Sequence, residues 1–327
     1  MMKFCIVSAG LIGLTAFTPI LVQAQSNDYP DRPITMVVPF TAGGSSDILA
    51  RAFGQSLAKQ LGQSVIIENK PGAGSIIGAD QVARSRNDGY TLLFGTIGSH
   101  AINLALKKQL PYDPVNSFEA IAKLHELPML LVSSQAMSVT TFEAFAKRVK
   151  SQDQHYTFAS AGPGSVSHLA GEVLRSELNA PLMHVPYKGG GAAMPDLLGG
   201  QVHSMLETIP NTLPHVRSKR LQALAITSEE RLKDLPDVPT FKELGYPALS
   251  IAAWTGLFAP KGTPAPIVQR LNEAVAATAK DADYIARIEQ SSTVVAAPGT
   301  PASFAAYVKE EGKRWTEISR QAGIEPE

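Results

Sequence analysis

Met36-Val37-Val38-Pro39-Phe40-Thr41-Ala42-Gly43-Gly44-Ser45-Ser46-Asp47-Ile48-Leu49-Ala50-Arg51 reads as a buried strand, a Gly/Ser loop and the first turns of an amphipathic helix. Gly43 and Gly44 can take backbone angles closed to other residues and leave main-chain N–H groups uncovered. A helix N-terminus adds unpaired donors and a partial positive charge, so the loop suits an anion. The same residues also suit an ordinary corner in which Ser45 or Ser46 only caps the helix. On this stretch alone both readings stand.

Moving outward, Leu49, Ala52, Phe53, Leu57 and Leu61 recur at helical spacing until Gly62, and Val65 to Glu68 is the next strand. One crossover separates it from Ile34 to Val38, which predicts a parallel pair. Asn69-Lys70-Pro71-Gly72-Ala73-Gly74-Ser75-Ile76-Ile77-Gly78 then opens a helix ending near Arg86. Its glycines half-match a dinucleotide fingerprint, but the third is a residue late and no acidic residue closes the strand Thr91 to Phe94. Gly95 to His100 follows as a second Gly/hydroxyl loop, with Thr96, Ser99 and His100 as polar candidates, and a short helix runs from Ala101 to Lys108. Phe118 to Leu124 and Met129 to Val132 read as strands around a turn at Pro128. Thr140 to Glu143 carries a capping-box pattern.

The opening device recurs. The strand Tyr156 to Ala159 runs into Ser160-Ala161-Gly162-Pro163-Gly164-Ser165-Val166-Ser167-His168-Leu169-Ala170, which matches Thr41 to Ala50 almost step for step with one insertion. Two strand-loop-helix anion sites are what two facing α/β domains need to grip one ligand from both sides. After a helix ending at Asn179, Leu182 to Gly191 is a strand and glycine loop carrying Lys188, a candidate carboxylate partner or a solvated surface lysine. Gln201 to Glu207 is another strand, and Glu207 at its end is a candidate for a ligand hydroxyl or ammonium group. Leu221 to Ile226 and Ala252 to Pro260 are strands. Thr263 with Pro264 at the first helical position, and Thr300 with Pro301, start two closing helices with apolar stripes.

The N-terminus carries Lys3, an apolar run from Phe4 to Val22 broken by Gly10, Gly13 and Pro19, and then Val22-Gln23-Ala24. This pattern predicts a signal peptide over residues 1–24, cut after Ala24, and hence a periplasmic protein; a retained anchor is the rival. Cys5 is the only cysteine, so the exported chain has neither thiol nor disulfide. About 300 residues remain, the size at which one core gives way to two domains. The 29 basic and 29 acidic residues become 28 and 29 without Lys3, a net charge near −1 that offers nucleic acid no footing. His184, His203 and His215 lack paired ligand spacing, so no metal or other cofactor is expected.

Tyr29-Pro30-Asp31-Arg32-Pro33, Pro39 to Gly44, Asn69 to Gly74, Ser160 to Ser165, His184-Val185-Pro186-Tyr187-Lys188-Gly189 and Leu235-Pro236-Asp237-Val238-Pro239-Thr240 resemble the Bug (TctC-like) family. These are the exported solute-binding components of tripartite tricarboxylate transporters, and the match spans nearly all the mature chain. The resemblance implies an α/β, two-domain periplasmic binding fold of type II-like form. Each domain would be a mostly parallel sheet flanked by helices, with the ligand cleft between them. Domain one would join 25–127 with 254–327, and domain two would be 128–253. It further implies that Phe40, Thr41, Ala42, Gly43, Gly44, Ser45, Ser46 and Asp47, with the Gly95 to His100 loop, grip a ligand carboxylate. Ala161, Gly162, Gly164, Ser165 and His168 would close from the other side. Where many members carry an Asp after Gly-Gly-Gln-Val, this chain has Glu207.

The implied partners are a small carboxylate (a dicarboxylate, an amino acid or an aromatic acid) and the membrane permease subunits, with the receptor a monomer. Two other functions fit the residues. One is a hydrolase using Ser165, Ser167 and His168, although no Gly-x-Ser-x-Gly elbow is present. The other is a ligand-sensing partner of a membrane sensor.

Overall fold

The computed structural model describes residues 1–2, 29–151, 155–290, 293–321 and 326. The signal-peptide reading, from Lys3 to the cut after Ala24, lies outside the described residues. Among them no helix is long and apolar enough to cross a membrane.

The first unit is strand β1 (Ile34–Val38), helix α1 (Ser45–Leu61) and strand β2 (Val65–Asn69). β1 is apolar at four of its five positions and buried on both faces, as expected of a strand inside a parallel sheet covered by helices. It pairs in parallel with β2, Ile34 opposite Val65. α1 buries Leu49, Phe53, Leu57 and Leu61 and ends at Gly62, whose left-handed φ of 71° lets its N–H reach Ala58 O. After α2 (Ile76–Ala83), strand β3 (Thr91–Thr96) pairs in parallel with the other edge of β1. The strand continues two residues beyond the predicted Phe94, so Gly95 and Thr96 belong to it. A π-helical turn at Gly98–Ile102 and the single turn α3 (Asn103–Leu106) replace the expected Ala101–Lys108 helix.

Strand β4 (Phe118–Ser134) is continuous, and no turn forms at Pro128. In β4, Pro128 is the last rung of one ladder, opposite Ala252, and Met129 is the first of the next, opposite Thr208. The missing N–H therefore falls where neither ladder requires a donor. Past β4 come α4 (Phe142–Lys150), β5 (Thr157–Ser160), α5 (Val166–Leu178), β6 (Met183–Pro186) and α6 (Gly190–Leu198). Then follow β7 (Ser204–Thr208), α7 (Ile209–Arg217) and β8 (Leu221–Ile226). Thr141 rather than Thr140 caps α4, accepting from Ala144 N at 3.2 Å, so the expected capping box does not form.

Strand β9 (Ala252–Pro260) returns the chain to the first sheet section, antiparallel to both β3 and β4. Helices α8 (Ala265–Thr278) and α9 (Ala282–Glu289), the short β10 (Val294–Val295) and α10 (Pro301–Gln321) finish the fold. Pro264 is the cap position of α8 instead of its first residue, because the Thr263 hydroxyl donates to Pro260 O (2.8 Å) and turns away from the helix. The strand order is β2-β1-β3-β9-β4-β7-β5-β6, with β8 and β10 also on β4. Pairing is parallel in β2-β1-β3 and β7-β5-β6 and antiparallel around the two strands that run between these groups. Ligands in such sheets collect at the carboxyl ends of parallel strands, and here the carboxyl ends of β1, β3, β5 and β7 face one region.

Candidate functional site

The loop after β1 is held by Asp47. Its carboxylate accepts from Gly43 N (3.0 Å), Arg51 Nε (3.0 Å) and Asn69 Nδ2 (3.1 Å), and Asn69 also donates to Phe40 O (3.0 Å). Burial pushes this carboxyl up, but the bonds from Arg51, Gly43 and Asn69 outweigh burial and hold it below the usual range. Gly43, at φ +82°, thus spends its N–H inside the loop. Gly44 caps α1 with extended backbone, and the first amides of the helix, at Ser45 and Ser46, have no intrahelical acceptor.

The loop after β5 is braced by hydroxyls. Ser165 Oγ donates to Gly162 O (2.6 Å) and accepts from His168 N (3.2 Å), which makes it the cap of α5. Ser167 Oγ accepts from Ala161 N (2.9 Å). The His168 ring accepts from Gly164 N at Nδ1 (3.4 Å) and stacks on His184, centroids 4.1 Å apart. The His168 ring is thus engaged by Gly164 N and His184, and the Ser165 and Ser167 hydroxyls by the backbone of their own loop.

The two halves touch around these loops. A Cβ on Gly74 would collide with Pro163 O, and one on Gly191 would lie 2.9 Å from Gly44 N. These approaches demand glycine. Between them lies a cavity with about 60 Å³ of water-centre space, several times what one water needs.

Four helices begin at this cavity. Ser45 and Ser46 line it from α1, Ser165, Val166 and Ser167 from α5, Gly190 from α6, and Thr208 from the cap of α7. Phe40, Gly44, Thr96, Ala161 and Glu207 complete the expected part of the wall. Leu127 on β4 and Ala253, Trp254 and Thr255 on β9 form a floor where the chain runs between the halves. Among the described residues no Lys, Arg or His lines it. Positive potential comes instead from helix N-termini, each equivalent to roughly half a charge.

Among the described residues Glu207 is the one ionisable side chain on the wall. Its Oε1 accepts from Thr208 N (2.8 Å) and Thr208 Oγ1 (2.7 Å), while its Oε2 and the nearby Thr96 Oγ1 are buried without a partner. Burial pushes its carboxyl above the usual range, against the pull of the Thr208 bonds. Thr208 Oγ1 also lies 2.6 Å from Ser45 Oγ, a hydrogen bond between the halves. Trp254 is held by its indole N–H, which donates to buried Glu311 (2.9 Å), shared with Trp315 (3.1 Å).

Several expected site residues lie elsewhere. Thr41, Ala42, Gly43 and Asp47 build the loop behind the wall, as Gly162, Gly164 and His168 do in the second loop. Ser99 folds back to accept from Thr96 N (3.0 Å) and donate to Thr96 O (2.9 Å). His100 is fully buried and stacked on Phe258 at 3.7 Å, and burial lowers its pKa to about 3, so the ring is neutral core. Lys188 is exposed on the strand-to-helix turn. Ile97, Gly98, Val166 and Ser167 fall within the two loops expected to hold ligand without being named as contacts, and Gly190, Thr208 and the four floor residues lie outside the expected set. Thr208 adjoins the expected Glu207. For the floor, the signal was the crossings near residues 127 and 253.

A family model described as "Tripartite tricarboxylate transporter family receptor" matches residues 49–324. The chain is 39% identical over 307 residues to the UPF0065 protein in the TAR-I ttuE-ttuC' intergenic region of Agrobacterium vitis, covering 93% of this chain and 88% of that protein. Among solved structures it is similar to the periplasmic binding protein BugD, with TM-score 0.88 and 38% identity over 91% of this chain and 100% of that one. It is also similar to MatC from Rhodopseudomonas palustris with bound malate, with TM-score 0.85 and 39% identity over 89% of this chain and 99% of that one.

Proposed function

Since the chain belongs to the tripartite tricarboxylate transporter receptor family, we propose that it is a periplasmic solute-binding protein that captures one small carboxylate and delivers it to membrane permease subunits. The observation that carries this reading is the meeting of four helix N-termini at one cavity without a basic side chain on its wall. The amides of Ser45 and Ser46 take the carboxylate from one half, and the Ala161–Ser167 loop takes it from the other. The domains are 25–127 with 254–327, and 128–253. They close over the ligand about the crossings near Leu127 and Ala253, with the first 24 residues removed on export. The malate held by MatC is a ligand of the same class.

A thermal-shift screen of malate, succinate, adipate, aspartate and nicotinate tests this. A ligand at about 100 times its Kd adds roughly 2.7 kcal/mol. That corresponds to a rise of about 4 °C in Tm for a chain of about 300 residues. At least one acid should give a saturable rise of that size, and a flat response to all five would refute the reading.

A further inference from the structure

Glu207 is 6% exposed at the end of β7, and its two oxygens have different surroundings. Oε1 is saturated by the Thr208 amide and hydroxyl. Thr208 has a single hydroxyl proton; given to Glu207, it leaves Ser45 Oγ as donor to Thr208 across the halves. Oε2 lies against the bare Cα of Gly190, where a Cβ would collide with it, and has no partner. Asn211 Nδ2 stands beside the same Gly190, also without an acceptor.

Among the described residues no charged group faces this carboxyl. β4 presents Leu130 opposite it, α6 presents Gly190, α7 presents Asn211, α1 presents Ser45, and its strand neighbours are Leu206 and Thr208. A second carboxylate entering the cavity therefore meets Glu207 with no cation between them. Two carboxylates sharing a dry site cannot both ionise cheaply, and one takes a proton. The amides at the starts of α1, α5 and α6 are donors, and the Ser45, Thr96 and Thr208 hydroxyls on the wall can donate as well as accept. A ligand oxygen therefore finds several donors there.

Resting on the carboxylate reading above, we propose that Glu207 is the second ligand-binding group of the cavity and acts as a carboxylic acid. As the anionic ligand enters, Oε2 takes one proton from solvent and donates it in a hydrogen bond to a ligand oxygen. Capture is then coupled to proton uptake. Burial, which already favours the protonated form of Glu207, works in the same direction. Because the bound state holds the proton more tightly than the free state, affinity is full below the free-state pKa of Glu207 and falls as pH rises toward the bound-state value.

The test is titration calorimetry of the mature protein with malate, succinate and adipate between pH 6 and 9, repeated in buffers of different ionisation enthalpy to count protons. Uptake should approach one proton per ligand between the free-state and bound-state values of Glu207, with Kd rising up to tenfold per pH unit in that window. Glu207→Gln, whose amide still donates at that position, should bind with a flat pH profile and no uptake. Zero uptake throughout, or tighter binding as pH rises, overturns the proposal while leaving carboxylate capture intact. Should the variant fail to fold, the proton count on the wild type decides alone. Failure of all three acids to bind, together with a flat thermal response to aspartate and nicotinate, overturns the carboxylate reading and this proposal with it.

Discussion

Replacing Asp47 by Ala separates a brace from a ligand contact. The residue is 4% exposed, and its carboxylate accepts from Gly43 N, Arg51 Nε and Asn69 Nδ2. Arg51 is half exposed and Gly43 is exposed, so water can resolvate both donors, and Asn69 keeps its bond to Phe40 O. The loss is therefore that of one buried charged acceptor, about 1.5–3 kcal/mol, and not the sum of three bonds. Without the brace the Gly43–Gly44 loop loses its fixed entry into α1, and carboxylate affinity should fall about tenfold, or about 1.4 kcal/mol. Urea unfolding and calorimetry on the same samples check both. The pH dependence is a further control. With its folded value held below 3.8, Asp47 contributes stability that is present above the unfolded value and lost as pH falls through the folded one. The wild-type advantage over Asp47→Ala should accordingly shrink below pH 4. Unchanged stability with a large loss of affinity would mean that Asp47 touches ligand, and the assignment as a brace would be wrong.

In Glu207→Gln without ligand, the burial cost of a charged carboxyl is gone. A raised folded value means that stability is full below the unfolded value and lost as pH rises through the folded one, so the variant should gain on wild type between pH 5 and pH 8. The gain is about 1.4 kcal/mol for each pH unit of the shift, read from thermal unfolding at both values, and an equal gain at pH 5 would count against it. Gly74→Ala drives a Cβ into Pro163 O of the opposite half at a left-handed φ of 60°. It should keep the halves apart, giving a larger radius of gyration than wild type by small-angle scattering with saturating ligand. A matching radius would show that this contact plays no part in closure.

Much of the strand framework is legible in the chain because buried strands are short apolar runs bounded by Pro, Gly or charge. Ile34–Val38, Leu221–Ile226 and Ala252–Pro260 come out as read. Pro128 shows where such reading stops: whether a proline breaks a strand depends on whether a neighbouring ladder needs its N–H, which is a tertiary fact. The site divides in the same way. That Gly44, Ser45 and Ser165 lie at helix starts follows from local pattern. Which way a side chain turns does not. Ser99 and His100 are near neighbours of Thr96 in sequence, yet the π-helical turn carries them into the core behind it. Asp47, one turn into α1, is consumed by its own loop. Trp254 joins the cavity only because β9 runs along the floor between the halves.

The central claim is that helix ends, rather than basic side chains, hold the ligand. A crystal structure with the acid giving the largest thermal shift tests it most directly. The account predicts a carboxylate in the cavity with its oxygens about 3 Å from the amides of Ser45 or Ser46, directly or through one water, and the Ala161–Ser167 loop closed over it. A carboxylate paired instead with a lysine or arginine, or one bound outside this cavity, would contradict it.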